Sequence, residues 1–128
     1  MAKILVVEDE AHICRIMTMW LTRHGHDIVE AANGRMALDL LDRESVDLII
    51  SDMNMPILDG LGLATAVRNE RGLTMPFLLV TARCDQRALA AQLEPLGVKI
   101  CPKPFVPSRL VADIEALLAE AAVEETAK

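Results

Sequence analysis

Unbroken apolar runs alternate with helix-period segments along this chain. The runs at residues 4–7, 28–31, 48–50, 77–80 and 98–101 read as strands buried on both faces, because they are continuous rather than alternating. Between the first two, Ile13, Ile16, Met17, Trp20 and Leu21 fall on one helical stripe, and Gly25 is placed to end that helix. Ala37, Leu38 and Leu41 mark a second helix, and Leu63, Ala66 and Val67 a third. Leu89 and Leu93 mark a fourth. Leu110, Ile114, Leu117, Leu118 and Ala121 mark a fifth, with Pro107 in its first turn, where a missing N–H is tolerated. Asn33-Gly34 would signal a hairpin between two strands, but a helical period follows it, so a strand-to-helix loop is expected. Five strand–helix repeats predict a doubly wound α/β fold, with a parallel sheet, right-handed crossovers and helices on both faces.

At 128 residues the chain is most simply one domain, expected over 1–120. Residues 121–128 are Ala/Glu-rich and read as the frayed end of the last helix. Aromatics make up only 2% against 52% apolar residues, so Ile, Leu, Val, Met and Ala must build the core. A net charge of −6 argues against direct nucleic-acid binding and suits an acidic pocket that a cation neutralises. Cys14, Cys84 and Cys101 are odd in number and lack zinc spacing, which favours reduced thiols in a cytoplasmic protein. The early acids Glu8, Asp9 and Glu10 exclude a signal peptide, and no apolar stretch is long enough for a membrane span.

The third run ends on an acid, Asp52, followed by Met53-Asn54-Met55-Pro56. The carboxyl edge of an open α/β sheet is where such folds bind ligands. If strands one, three, four and five are neighbours, that edge gathers Glu8, Asp9, Asp52, Thr81 and Lys103. Two like charges ~4 Å apart repel by about 4 kcal/mol at an effective dielectric of 20, so three carboxylates there call for a cation. An all-oxygen site with few protein ligands suits Mg²⁺. Thr81 offers a hydroxyl and Lys103 a positive charge to an incoming anion, an inventory suited to in-line phosphoryl transfer.

In order and spacing, four segments resemble the CheY-like receiver domain of two-component response regulators. They are Ile4-Leu5-Val6-Val7-Glu8-Asp9-Glu10, Asp52-Met53-Asn54-Met55-Pro56 with Asp59-Gly60, Val80-Thr81-Ala82, and Pro102-Lys103-Pro104-Phe105. The resemblance implies a flavodoxin-like (βα)5 fold with strand order 2-1-3-4-5. It implies Asp52 as phosphoacceptor, with Mg²⁺ bound by Glu8, Asp9, Asp52 and the backbone carbonyl of Asn54. It also implies that Thr81 and Lys103 contact the phosphoryl group, and that the Lys103-Pro104 peptide is cis. The donor would be a histidine kinase or a histidine phosphotransfer protein. The readout would go to a downstream protein target or to an output domain missing from this chain, with no membrane partner. A homodimer through the fourth helix, fifth strand and fifth helix is among the implied assemblies. The chain would be a switch rather than an enzyme in its main role, catalysing only its own phosphorylation and hydrolysis. The rival readings are a receiver-like interaction module that works without phosphorylation, and an aspartate-nucleophile phosphatase. The phosphatase needs a second acid where this chain has Asn54.

Plainer roles stand beside these. Asp9 and Asp59 are candidate helix caps, and Gly60 a backbone requirement. His12, His24 and His26 read as solvated, the methionines as core filler, and Cys84 as an exposed thiol. Against the resembled pattern, Ile100 replaces a usual aromatic. Pro95 in Glu94-Pro95-Leu96-Gly97 predicts that the fourth helix ends or kinks by Leu93, since proline there removes an amide donor and crowds the preceding turn. Arg83 and Asn54 occupy positions that the family uses to tune water attack on the phosphoaspartate.

Overall fold

The computed structural model describes residues 2–82 and 86–127, with Gln86 and residues 123–127 as backbone only. Arg83 and Cys84 lie outside the described residues. Strands β1 (Lys3–Val7), β2 (Asp27–Ala31), β3 (Leu48–Asp52), β4 (Phe77–Ala82) and β5 (Lys99–Lys103) form one sheet in the order β2-β1-β3-β4-β5. Every pairing is parallel. The helices are α1 (Ala11–Arg23), α2 (Gly34–Leu41), α3 (Gly60–Thr65), α4 (Gln86–Leu93) and α5 (Pro107–Ala127). The flavodoxin-like topology expected from the sequence is therefore present. Among the described residues no helix is long and apolar enough to cross a membrane.

Strand residues alternate between the two faces of the sheet and so build two cores. Leu5, Val7, Ile49, Phe77 and Leu79 pack with residues of α2, α3 and α4. Ile4, Val6, Leu48, Ile50, Leu78 and Val80 pack with α1 and α5 through Met17, Leu21, Leu110 and Ile114. Because both faces are covered, the strands read as unbroken apolar runs. The inner strands keep polar side chains to their ends, and at the carboxyl ends the chain turns outward into loops.

Local signals account for most boundaries. The Asn33 side chain accepts from the Met36 amide at 2.9 Å and opens α2, so Asn33-Gly34 is indeed a strand-to-helix loop. Asp59 caps α3 by accepting from the Gly62 amide at 2.7 Å. Asp9 is not a cap: the cap position of α1 is Glu10, and no side chain bonds there. The fourth helix ends at Leu93 as the proline predicts, and Glu94–Leu96 continue as a 3-10 turn closed by left-handed Gly97. The last helix runs on through Ala127.

Two features depart from the expectations. Beyond α3, Ala66–Glu70 form a π-helical turn. From it Arg68 donates to the carbonyls of Leu96 at 2.7 Å and Leu73 at 2.9 Å, tying the end of the third helical segment to the end of the fourth. Burial pulls the Arg68 guanidinium below its ordinary pKa. The second departure is His26, which is not solvated. Its side chain is 7% exposed and its Nε2 lies 3.5 Å from Glu115 Oε2 of α5. The turn before β2 folds inward, with the His26 amide bonded to the Leu21 carbonyl at 3.2 Å. By contrast, His24 is exposed, stacks on Trp20 and contacts its carbonyl.

Candidate phosphoacceptor and metal site

Each candidate side chain is delivered by a strand end or the residue just beyond it. Asp52 closes β3 and is 3% exposed, Thr81 lies in β4, Lys103 closes β5, and Glu8 and Asp9 follow β1. Carboxylate oxygens of Glu8, Asp9 and Asp52 lie within 4.8 Å of one another. Among the described residues they are the only grouping of three such ligands at that spacing. Glu8 is buried, whereas Asp9 is exposed at the mouth.

The two oxygens of Asp52 are held differently. Oδ2 accepts from the backbone amide of Asn54 at 3.1 Å. Oδ1 has Lys103 Nζ at 2.5 Å as an ion pair, yet no aligned hydrogen bond reaches it. The loop after Asp52 is fixed close to the sheet. The Met53 amide donates to the Val80 carbonyl at 2.9 Å, and the Gly60 amide to the Met53 carbonyl at 2.8 Å. Gly60 is required for space, not for its torsion angles. A Cβ there would lie 2.4 Å from Leu79 Cδ1 and 2.6 Å from the Asp52 carbonyl oxygen.

The electrostatics show a site short of positive charge. Burial first, and the Asp52 charge second, push the Glu8 carboxyl up to about 7, although Lys103 partly offsets them. Burial works against charging Lys103, but contact with Asp52 and attraction to Glu8 and Glu10 outweigh it and raise its pKa. One ammonium therefore serves three acids. Thr81 is fully buried and its hydroxyl has no hydrogen-bond partner, an expense that a bound anion would remove. Surplus carboxylates and an orphaned donor fit a divalent cation bound together with a phosphoryl group.

A cavity of about 440 Å³ opens beside the acids, lined by Glu8, Asp9, Cys14, Arg15 and Met36. The Cys14 thiol is held up to about 11 by burial and by Glu30, which makes it unreactive. A larger cleft of about 890 Å³ lies at the opposite edge of the sheet, between α5 and the loops before β3 and β4. It contains no such acid cluster, so chemistry rather than size picks out the carboxyl edge.

Sequence reasoning named every residue that the strands gather here. It missed the Asn54 amide on Asp52, and it read Gly60 as a backbone requirement without the close packing that imposes it. Ile100 sits half-buried in β5 and packs against the core shared with α2, α3 and α4.

A family model described as the response regulator receiver domain matches residues 4–115. A probable transcriptional regulator ycf27 of Porphyridium aerugineum is 38% identical over 116 residues, covering 91% of this chain and 48% of that protein. The alkaline phosphatase synthesis transcriptional regulatory protein PhoP of Bacillus subtilis (strain 168) is 34% identical with the same coverage. The chain thus spans about half the length of these curated relatives. The chemotaxis protein CheY4 of Vibrio cholerae superposes with a TM-score of 0.83 at 30% identity, covering 91% of this chain and 98% of that one. The receiver domain of the Francisella response regulator 1452 superposes with a TM-score of 0.86 at 25% identity, covering 94% and 99%.

Proposed function

This chain belongs to the response regulator receiver domain family, and from that premise we propose that Asp52 accepts a phosphoryl group from a histidine kinase or a histidine phosphotransfer protein. In this reading residues 1–120 are the receiver unit, which works in the cytoplasm. The observation that carries this reading is the meeting of the Glu8, Asp9 and Asp52 carboxylates within 4.8 Å, with Lys103 against Asp52.

In the transfer, an Asp52 carboxylate oxygen attacks phosphorus as the bond from phosphorus to the donor's imidazole nitrogen breaks. The bonding pair leaves with the imidazole, which takes up a proton from water. Glu8, Asp9, Asp52 and the backbone carbonyl of Asn54 would hold Mg²⁺, which when bound neutralises the carboxylates and the phosphoryl oxygens. The Asn54 amide fixes one oxygen of Asp52 and thereby the direction of the other. Lys103 follows the charge, and the unpartnered Thr81 hydroxyl becomes a donor to the phosphoryl group. Attack of water on phosphorus later releases phosphate and restores Asp52.

Phosphorylation exchanges one negative charge for about two, with additional acceptor oxygens. That change biases the segment after Thr81, and the readout passes to a downstream protein or an output domain. The surface of α4, β5 and α5 is the proposed partner and dimer face, altered here by Ile100 and by the Pro95 turn.

The test is incubation with acetyl phosphate and Mg²⁺, followed by intact-mass measurement. One phosphoryl adduct is expected, absent after Asp52→Asn and suppressed by a chelator. No adduct on the wild-type chain would leave the phosphorylation-independent interaction module as the better reading.

A further inference from the structure

We infer that His26 and Glu115 form a second metal site, for Zn²⁺ or a divalent ion of similar character, at the edge of the sheet opposite the acids. Among the described residues, four buried side-chain polar atoms have no hydrogen-bond partner. Asp52 Oδ1 and Thr81 Oγ1 belong to the phosphoacceptor pocket, where a cation and a phosphoryl group would satisfy them. The other two are Nδ1 and Nε2 of His26. A buried polar group left unpaired calls for a physical reason. The signal that marks the pocket therefore marks a second place in the molecule, one that the receiver chemistry does not use.

The spacing of the two side chains suits an ion between them. The His26 side chain is 7% exposed, and its Nε2 lies 3.5 Å from Glu115 Oε2. That gap exceeds an N–H···O hydrogen bond, which runs up to about 3.2 Å. It matches two ligands on one tetrahedral ion, since bonds of about 2.1 Å at about 109° hold their atoms about 3.4 Å apart. The backbone around His26 is fixed: its amide donates to the Leu21 carbonyl at 3.2 Å, and the Asp27 amide to the Ala2 carbonyl at 2.8 Å. Glu115 reaches in from α5 with its side chain 49% exposed, so it is free to close on an ion. Both residues line the cleft of about 890 Å³, together with Ser45, Asp47 and Thr74. That cleft has room for the waters that would complete the coordination.

The donor set selects the ion. Mg²⁺ takes oxygen ligands, as the acids of the other edge provide. An imidazole nitrogen with a carboxylate oxygen suits Zn²⁺ and its neighbours among the divalent transition metals. The Nε2 lone pair goes to the ion, which leaves the ring proton on Nδ1. Two protein ligands make an exchangeable site rather than a structural one, since structural zinc sites use four. The other histidines lack this arrangement: His24 is exposed and stacks on Trp20, and His12 lies 3.9 Å from Glu10 with both side chains exposed. Glu115 sits near the middle of α5, so a bound ion ties that helix to the turn before β2.

Calorimetric titration of the full chain with Zn²⁺, in excess Mg²⁺ to occupy the acidic pocket, tests the site. His26→Gln and Glu115→Gln should each weaken it at least about ten-fold, a loss that even groups behind the ligands of a metal produce. His24→Gln should keep the wild-type affinity. In NMR spectra of the wild-type chain, Zn²⁺ should shift the ring resonances of His26 at lower concentration than those of His12 and His24. Glu115 is half-exposed, so Glu115→Gln keeps the fold and decides the matter even if His26→Gln does not fold. Three outcomes overturn the inference: no Zn²⁺ uptake by the wild-type chain, wild-type affinity in Glu115→Gln, or Zn²⁺ that reaches His12 or His24 before His26.

Discussion

Lys103 at the end of β5 lies 2.5 Å from Asp52 at the end of β3, reaching across the intervening strand β4. The contact exists because the parallel strands bring the carboxyl ends of β3 and β5 to one edge of the sheet, on either side of Thr81. It gives the metal-free pocket its nearest counter-charge. Lys103→Met should cost about 1–2 kcal/mol of stability at neutral pH without metal, less than for a fully buried pair because Lys103 is partly exposed. In an Asp52→Asn background the same substitution should cost much less. A double-mutant cycle of urea midpoints checks the coupling.

Glu8 sets a pH dependence. Burial and the Asp52 charge push its folded carboxyl up to about 7, above the ordinary 4.5 of the unfolded chain. Between those values the folded state binds more protons, so stability falls as pH rises. The contribution is complete below about 4.5 and is lost as pH passes through about 7. With chelator present, wild type should lose about 1–2 kcal/mol relative to Glu8→Gln between pH 5 and 8, allowing for screening by water at the pocket mouth. Urea unfolding at the two pH values measures it. The same proton should be released when Mg²⁺ binds near pH 7, so apparent Mg²⁺ affinity should rise with pH, as calorimetry in buffers of different ionisation heat will record.

Gly60→Ala should be among the most damaging conservative changes. Its Cβ would collide with Leu79 and with the Asp52 backbone, and the backbone cannot yield. A loss of about 2–3 kcal/mol is expected from overpacking. Displacement of the Met53 loop should also weaken Mg²⁺ binding several-fold. Gly97→Ala meets no atoms within 4 Å and should cost only the strain of its left-handed φ of 66°, about 1 kcal/mol. Comparing the two in urea separates space from torsion.

Arg68→Met removes both hydrogen bonds that join the π-helical turn to Leu96 and Leu73. Two partly buried carbonyls lose a donor, for an expected cost of about 1–3 kcal/mol. Amide exchange should quicken most at Gly97 and Val98, next to the released turn, with β1 and β3 little changed. Uniform acceleration across the sheet would instead mean that Arg68 supports global stability without holding this junction.

Much of this was legible in the sequence because period and punctuation carried it. The unbroken apolar run that opens Leu48–Asp52 is the mark of a strand covered on both faces. Pro95 stopped α4 at Leu93 for a steric reason that needs no tertiary context. The acids and Lys103 were readable as a group because each ends a strand or directly follows one. The π-helical turn was not, since Arg68 reaches carbonyls 28 and 5 residues away. Nothing local to His24-Gly25-His26 says that one ring will stack outside and the other fold under α5.

The length of α5 has a mechanical consequence. Its 21 residues span about 30 Å at 1.5 Å rise per residue, whereas the five residues of β5 beside it cover about 16 Å. The helix starts at Pro107, four residues beyond Lys103, and its far half projects past the sheet. Leu118, Ala119 and Ala121 line the cleft of about 890 Å³. A tilt of about 5° at the Pro107 end would therefore swing the Ala127 end by almost 3 Å, given the helix length. Any tilt set at the acidic pocket would thus be magnified into displacement at the far end of α5.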